Sequence, residues 1–139
     1  MKFAYLAVPG LKDSRGRMVK RPVLILELRA KDGSILEVPA IVDSGADTTT
    51  VNIEYAEALG IELREKGLIL GVGKGKIERY TGHLPFKIKQ TDFELEVPAW
   101  YIDSENVGIL LGQECFFDSF RIKFEKDHDT FEIIPVKNK

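Results

Sequence analysis

Short apolar-rich runs, each closed within a few residues by glycine, proline or aspartate, make up nearly all of this sequence, and they read as β-strands. Val23 to Arg29 alternates and is followed by Lys31-Asp32-Gly33-Ser34, whose Asp-Gly pair predicts a tight hairpin. Ile35 to Val42 then returns as a strand, with Pro39 marking a bulge or an edge position. Further strands are predicted at Leu68 to Val72, Ile77 to Thr81, Leu84 to Lys89, Phe93 to Val97 and Trp100 to Ile102. A last hairpin joins Phe120 to Phe124 with Thr130 to Ile134, turning at Lys126 to Asp129. Only two stretches read as helices. Asn52 to Leu59 has Asn52 as a cap and Gly60 as a stop, and a short helix is expected from Gln113 to Asp118. The expected fold is mainly β, a small barrel or sandwich with one or two short helices.

At 139 residues the chain suits a single domain, 1–139, and no stretch reads as a linker. A net charge of −2 excludes a nucleic-acid binder working through a strong positive field. The basic cluster from Arg15 to Arg21 reads as a solvated loop. No run approaches the roughly 20 apolar residues of a membrane-spanning helix. One cysteine, Cys115, cannot form an intrachain disulfide, which fits a reducing compartment, and a cytoplasmic protein is expected. Cys115, beside Phe116 and Phe117 on the expected helix, reads as a buried structural cysteine; Gln113-Glu114-Cys115 lacks the glycine pattern and histidine partner of a thiol nucleophile. His83 and His128 lack metal-ligand spacing, so neither a metal nor a cofactor is expected. Trp100, Tyr101 and the phenylalanines read as core or interface residues.

The sequence echoes itself. Leu36-Glu37-Val38-Pro39-Ala40 recurs as Leu95-Glu96-Val97-Pro98-Ala99, and each copy runs through a short apolar stretch to Asp-Ser. The echo is either a duplicated half-unit or two amphipathic strands alike by chance. The second copy has Glu105 where the first has Gly45, so it reads as a structural counterpart and not a second active site.

Chemistry is concentrated in Ile41-Val42-Asp43-Ser44-Gly45-Ala46-Asp47-Thr48-Thr49-Thr50-Val51. An apolar strand delivers a carboxylate, then a hydroxyl, then a glycine where the backbone must come close to something. A buried carboxylate is costly unless it finds partners or keeps its proton, so this order points to a tuned acid. Asp-Ser-Gly alone reads more readily as a turn. Two later elements add weight: Leu70-Gly71-Val72-Gly73-Lys74-Gly75-Lys76-Ile77, whose alternate glycines suit a mobile hairpin tip, and Val107-Gly108-Ile109-Leu110-Leu111-Gly112, an apolar strand ending in glycine. The hairpin is not a phosphate loop, because Gly-Lys-Ser/Thr is missing and a strand follows.

Taken in order, Asp-Ser-Gly-Ala, a glycine-rich hairpin and Ile-Leu-Leu-Gly resemble the retropepsin-like (retroviral-type) aspartic proteases, from about Pro22 to Phe124. The resemblance implies a closed-barrel acid-protease fold that forms one half of a two-fold symmetric dimer, acting as an aspartic endopeptidase on polypeptides. By it, Asp43 is the catalytic aspartate, Ser44 the hydroxyl bracing the two loops across the dimer axis, and Gly45 a backbone contact to substrate. Ala46 and Asp47 would line the substrate site, and Gly71, Val72, Gly73, Lys74 and Gly75 would form a flap closing over the peptide. Leu110, Leu111 and Gly112 match the strand packed behind the catalytic loop. Aspartic proteases are the standing example of two carboxyl groups about 3 Å apart that share one proton. Asp43 is the one aspartate followed by Ser or Thr and then Gly, so one chain carries half of such a pair. A two-fold axis between identical chains supplies the other half, and the expected partner is a second copy.

Gln113-Glu114 depart from the Arg-Asp/Asn that retroviral members place after the second motif. Gln113 offers Asp47 a neutral hydrogen bond in place of a bidentate ion pair. Lys74 and Lys76 either draw acidic groups towards the cleft or simply keep the hairpin solvated. The rival to an enzyme is a catalytically silent module of the same fold that dimerises or binds peptides.

Overall fold

The structure, a computed structural model, describes residues 1–70, 75–105 and 107–137. Twelve strands and one regular helix are present among them: β1 (Lys2–Ala4), β2 (Leu6–Lys12), β3 (Met18–Arg21), β4 (Val23–Arg29), β5 (Ile35–Val42), β6 (Thr49–Asn52), α1 (Glu54–Leu59), β7 (Lys66–Leu70), β8 (Lys76–Ile88), β9 (Glu94–Ile102), β10 (Ile109–Leu111), β11 (Phe120–Glu125) and β12 (Thr130–Pro135).

Seven strands form one sheet in the order β4-β5-β10-β6-β9-β8-β7. Pairing of Leu26 with Ile88 and Glu27 with Lys87 joins β4 to β8 and closes six of them into a barrel, from which β7 projects. The alternation seen in the sequence is borne out inside it: Leu24, Leu26 and Leu28 of β4 are fully buried, with Val38, Ala40 and Val42 of β5 beside them. A second sheet, β1-β12-β11, packs Phe131 and Ile133 into the same core, and β2 pairs with β3 as a separate, largely exposed hairpin.

The sequence echo has a structural counterpart. β5 runs parallel to β10, β9 runs parallel to β6, and β10 and β6 are antiparallel neighbours in the middle. Each strand-loop-strand unit thus straddles a strand of the other: β5 and β6 flank β10, while β9 and β10 flank β6. Pro39 and Pro98 occupy matching places, one residue before β10 and β6 begin their pairing at Ala40 and Ala99. Each proline therefore sits with one flank open, where a missing N–H is tolerated. At Pro39 the edge reading holds and the bulge reading does not, because β4 and β5 pair in continuous register.

Several boundaries differ from expectation. Ile77 to Thr81 and Leu84 to Lys89 belong to one strand, β8, which runs through Gly82; a Cβ there would meet the Tyr101 ring at 3.0 Å, so glycine makes room for an aromatic and does not mark a turn. Phe93 to Val97 and Trp100 to Ile102 likewise merge, through Pro98, into β9. The expected second helix is a kinked turn over Gln113–Phe117, with Glu114 extended (ψ 124°) and Cys115 at φ 67°. Cys115 is half-buried in this turn, not buried on a helix. Arg15 and Arg17 lie in the turn of the β2–β3 hairpin, whose strands the sequence pattern does not announce. Asn52 falls at the end of β6, and its Oδ1 still accepts a hydrogen bond from the Glu54 N–H at 3.0 Å, while Gly60 (φ 69°) ends the helix as expected.

Tyr101 is the largest fully buried side chain and donates its hydroxyl to the His83 carbonyl at 2.7 Å. Burial pushes its phenol up from the usual value of 10.0. A phenol that ionises more readily in the unfolded chain favours unfolding once the pH exceeds the unfolded value. Stability is therefore expected to be level with respect to this group below pH 10 and to fall as the pH rises above it. Denaturant titrations across that range check this, with Tyr101→Phe flattening the fall.

Candidate active site

Asp43 stands at the end of β5, where the strand leaves the barrel. Its N–H donates to the Leu111 carbonyl at 3.0 Å, which continues the parallel β5–β10 ladder by one step and fixes the backbone from which the side chain projects. Asp43 is half-buried, and its Oδ1 accepts a hydrogen bond from the Gly45 N–H at 2.9 Å. A Cβ on residue 45 would lie 3.3 Å from that oxygen, so glycine leaves the carboxylate room to lean back over its own loop. The Ala46 N–H closes the turn onto the Asp43 carbonyl at 3.2 Å. Ser44 and Asp47 are exposed and Ala46 is half-buried.

The loop is braced from behind by the segment after β10. Gln113 N–H reaches the Ala46 carbonyl at 2.8 Å, Glu114 N–H reaches the Asp47 carbonyl at 2.9 Å, and Gln113 Nε2 donates to the Ser44 carbonyl at 2.7 Å. The expected bond between the Gln113 amide and Asp47 is thus replaced by one to the carbonyl of Ser44, the residue next to Asp43. Gly112 lies in the crowded centre of this brace. A Cβ there would sit 2.7 Å from the Ala46 oxygen and from the Thr48 carbonyl carbon. Its φ of −107° is open to any residue, so the need for glycine is one of space alone.

Thr49 completes the site, and its role was missed from the sequence. It is the one buried polar side chain recorded among the described residues, and its Oγ1 accepts the Gly112 N–H at 3.2 Å. The hydroxyl therefore ties the two motif loops together inside the barrel. The signal in the sequence was slight: a threonine two residues before Val51, on the same inward face of β6. Thr49→Val keeps the shape but leaves a buried N–H without an acceptor, which is expected to lower stability by about 1–3 kcal/mol. Thr49→Ser keeps the acceptor and should lose less; chemical denaturation of both variants checks the order, and a Val variant as stable as the parent would contradict the assignment.

Asp43, Ser44, Gly45, Ala46 and Asp47 are thus brought together in one short loop. Gly71, Val72, Gly73 and Lys74 lie outside the described residues. Gly75 is described, at φ 77° with open space where a Cβ would be, leading into β8 at the exposed Lys76. A surface groove of about 570 Å³ lies elsewhere, lined by Glu27, Arg29, Ile35, Lys87 and Glu94 among others, and holds none of the Asp43 loop. Among the described residues no cluster of His, Cys, Asp and Glu is arranged to hold a metal ion. No helix among them is long and apolar enough to cross a membrane. One chain thus offers a single Asp43 carboxylate, on a loop held by hydrogen bonds from Gly45, Gln113 and Glu114.

Comparison with known proteins follows the same lines. The sequence model of the family described as aspartyl protease matches residues 27–115. No curated protein matches the sequence. Among solved structures, a retropepsin-like aspartic protease from Rickettsia conorii aligns with a TM-score of 0.61 at 16% identity, over 96% of this chain and 98% of that one. The retroviral protease-like domain of Ddi1 from Leishmania major aligns with a TM-score of 0.59 at 20% identity, over 83% and 89%. EIAV protease complexed with the inhibitor HBY-793 aligns with a TM-score of 0.50 at 21% identity, over 78% and 93%. At such identities the likeness is one of fold, and it agrees with the closed, mainly β barrel described above.

Proposed function

Because the chain belongs to the aspartyl protease family, we propose that it is an endopeptidase whose catalytic pair is made of two Asp43 side chains, one from each copy of a homodimer. The observation that carries this reading is the half-buried Asp43, held on a braced loop whose other acid, Asp47, is exposed to solvent. Two such carboxylates facing each other across a two-fold axis share one proton and hold a water between them. The ionised member takes a proton from the water, whose oxygen attacks the peptide carbonyl carbon, while the protonated member gives its proton to the carbonyl oxygen. Return of a proton to the amide nitrogen then lets the C–N bond break. In this proposal the exposed Ser44 hydroxyl, which makes no hydrogen bond among the described residues, braces the partner's loop.

β11 supports the dimer, because it pairs with β12 alone and leaves its other edge open among the described residues. An open edge is a template for another strand, and Phe124 of β11 is 39% exposed there. The hairpin of β7 and β8, joined through residues 71–74, serves in this proposal as the flap that excludes water and holds the peptide extended. A cytoplasmic location belongs to the same proposal and rests on the single free thiol, Cys115; recovery of the protein in a secreted fraction would count against it.

The test is cleavage of a denatured protein mixture at mildly acidic and neutral pH, with and without pepstatin, alongside sedimentation to establish the assembly. Pepstatin-sensitive cleavage by a dimer is the expected result. A dimer that binds peptides and cleaves none would make the chain a silent member of the fold.

A further inference from the structure

Cross-strand register places Ile41, Leu110, Thr50 and Trp100 in one line over four adjacent strands, each residue opposite the next. Opposed residues share a sheet face, and the alternating Val42, Leu111 and Thr49 are buried inside the barrel, so this line faces outward. All four are half-buried, and Asp43, two residues beyond Ile41, continues on the same face. The line is thus a wall running from the catalytic carboxylate towards the β7–β8 hairpin.

Arg79 stands at the far end of that wall. Its guanidinium carbon lies 4.7 Å from the centroid of the Trp100 ring. Opposite it in β7 is Gly67, where a Cβ would come within 2.8 Å of the same carbon. Glycine at 67 leaves the guanidinium a lane across the sheet, so the arginine reaches over the face of the indole. A cation–π contact of this kind does not consume the guanidinium N–H groups, which can still bind a carboxylate in bidentate fashion. Among the described residues Arg79 forms no salt bridge, whereas Lys66 nearby is taken by Glu78 at 3.1 Å.

We propose that Arg79, oriented by Trp100 and given room by Gly67, selects substrates carrying an aspartate or glutamate side chain near the cleaved bond. The proposal rests on the endopeptidase reading and names the substrate class of that site. Three strand spacings of ~4.8 Å separate the strand of Asp43 from that of Trp100, a span covered by about four residues of extended peptide. Two-fold symmetry supplies a second Arg79, so the acidic preference falls on both sides of the scissile bond, within that distance.

The test is binding of a positional-scanning peptide library to full-length Asp43→Asn protein, which retains the wall without the catalytic acid. Acidic residues should be enriched about tenfold over their amides at one position on each side of the centre, and the enrichment should vanish in the additional variants Arg79→Met and Arg79→Gln. Lys66 and Lys76 remain in both, so a general positive field would persist where a specific arginine contact would not. If one variant fails to fold, the other decides. Absence of acidic enrichment in the parent, or its survival in a folded Arg79 variant, overturns the proposal. Because binding is scored on a protein unable to cleave, failure of the endopeptidase reading is seen separately, as wild-type protein that leaves the acidic peptides intact.

Discussion

Asp43→Asn is expected to lower peptide hydrolysis by about 10³-fold while leaving the fold and the dimer in place, since general acid–base groups of this kind contribute about 10²–10⁴-fold. The amide is nearly the same shape as the carboxylate, and its oxygen can still accept the Gly45 N–H that holds the loop. What it cannot do is carry or accept the shared proton. The loss should also reach chains that keep their aspartate. Mixed with an equal amount of parent under conditions where subunits exchange, Asp43→Asn protein captures parent chains in hybrid dimers. Random pairing leaves about a quarter of the dimers fully parental and cuts activity per parent chain to roughly half. A site complete within one chain predicts no change on mixing. Robust cleavage by the pure Asp43→Asn protein would remove Asp43 from the mechanism altogether.

Gly112→Ala is the second large expected effect, and it acts on stability first. The added methyl carbon has nowhere to go: its three nearest neighbours are backbone atoms, the Ala46 oxygen and the Thr48 carbonyl carbon and oxygen, at 2.7, 2.7 and 2.8 Å. Backbone cannot swing aside as a side chain can. Either the Asp43 loop or the β10 end must shift, and with it the Gly112 N–H bond to Thr49. A cost of about 1–3 kcal/mol is expected for overpacking of this kind, seen as a drop of roughly 3–10 °C in Tm. Activity should fall further than stability accounts for, because the atoms pushed belong to the loop that aims the carboxylate. Gly108→Ala is the control: it meets nothing within 4 Å and should change stability by no more than about 0.5 kcal/mol. Equal behaviour of the two proteins would show that the close packing around Gly112 is not needed.

The parts of this fold that were legible in the sequence are those fixed by local chemistry. β4 and β5 begin and end where alternation and the Asp32-Gly33 turn place them, and Gly33 does take the left-handed φ of 90° that such a turn needs. The Asp43 loop was legible because its Asp-Ser-Gly, which alone reads as a turn, is followed in order by the glycine-rich hairpin and Ile109-Leu110-Leu111-Gly112. What stayed hidden depends on neighbours distant in sequence. Gly82 reads as a break until the Tyr101 ring is seen against it. Gln113 to Phe117 reads as a helix until the tie of Cys115 N–H to Asp118 Oδ2 and the demands of the Asp43 loop bend it. Arg79 drew no reading from the sequence, since nothing in its local sequence announces the Trp100 ring beside it. The β2–β3 hairpin was missed because it buries little, and a strand exposed on both faces leaves no alternation to read.

The interleaving of β5, β10, β6 and β9 also governs how the molecule comes into being. No contiguous stretch of the polypeptide owns a finished layer: the slot flanked by β5 and β6 stays empty until β10 has been synthesised, as residues that touch in the centre, such as Val51 and Ile109, are made far apart. Such distant contacts slow a search into the millisecond-to-second range. A nascent chain released from the ribosome must therefore knit both ends at once, and a fragment cut at its middle would be two unfilled frames, with no smaller working barrel inside.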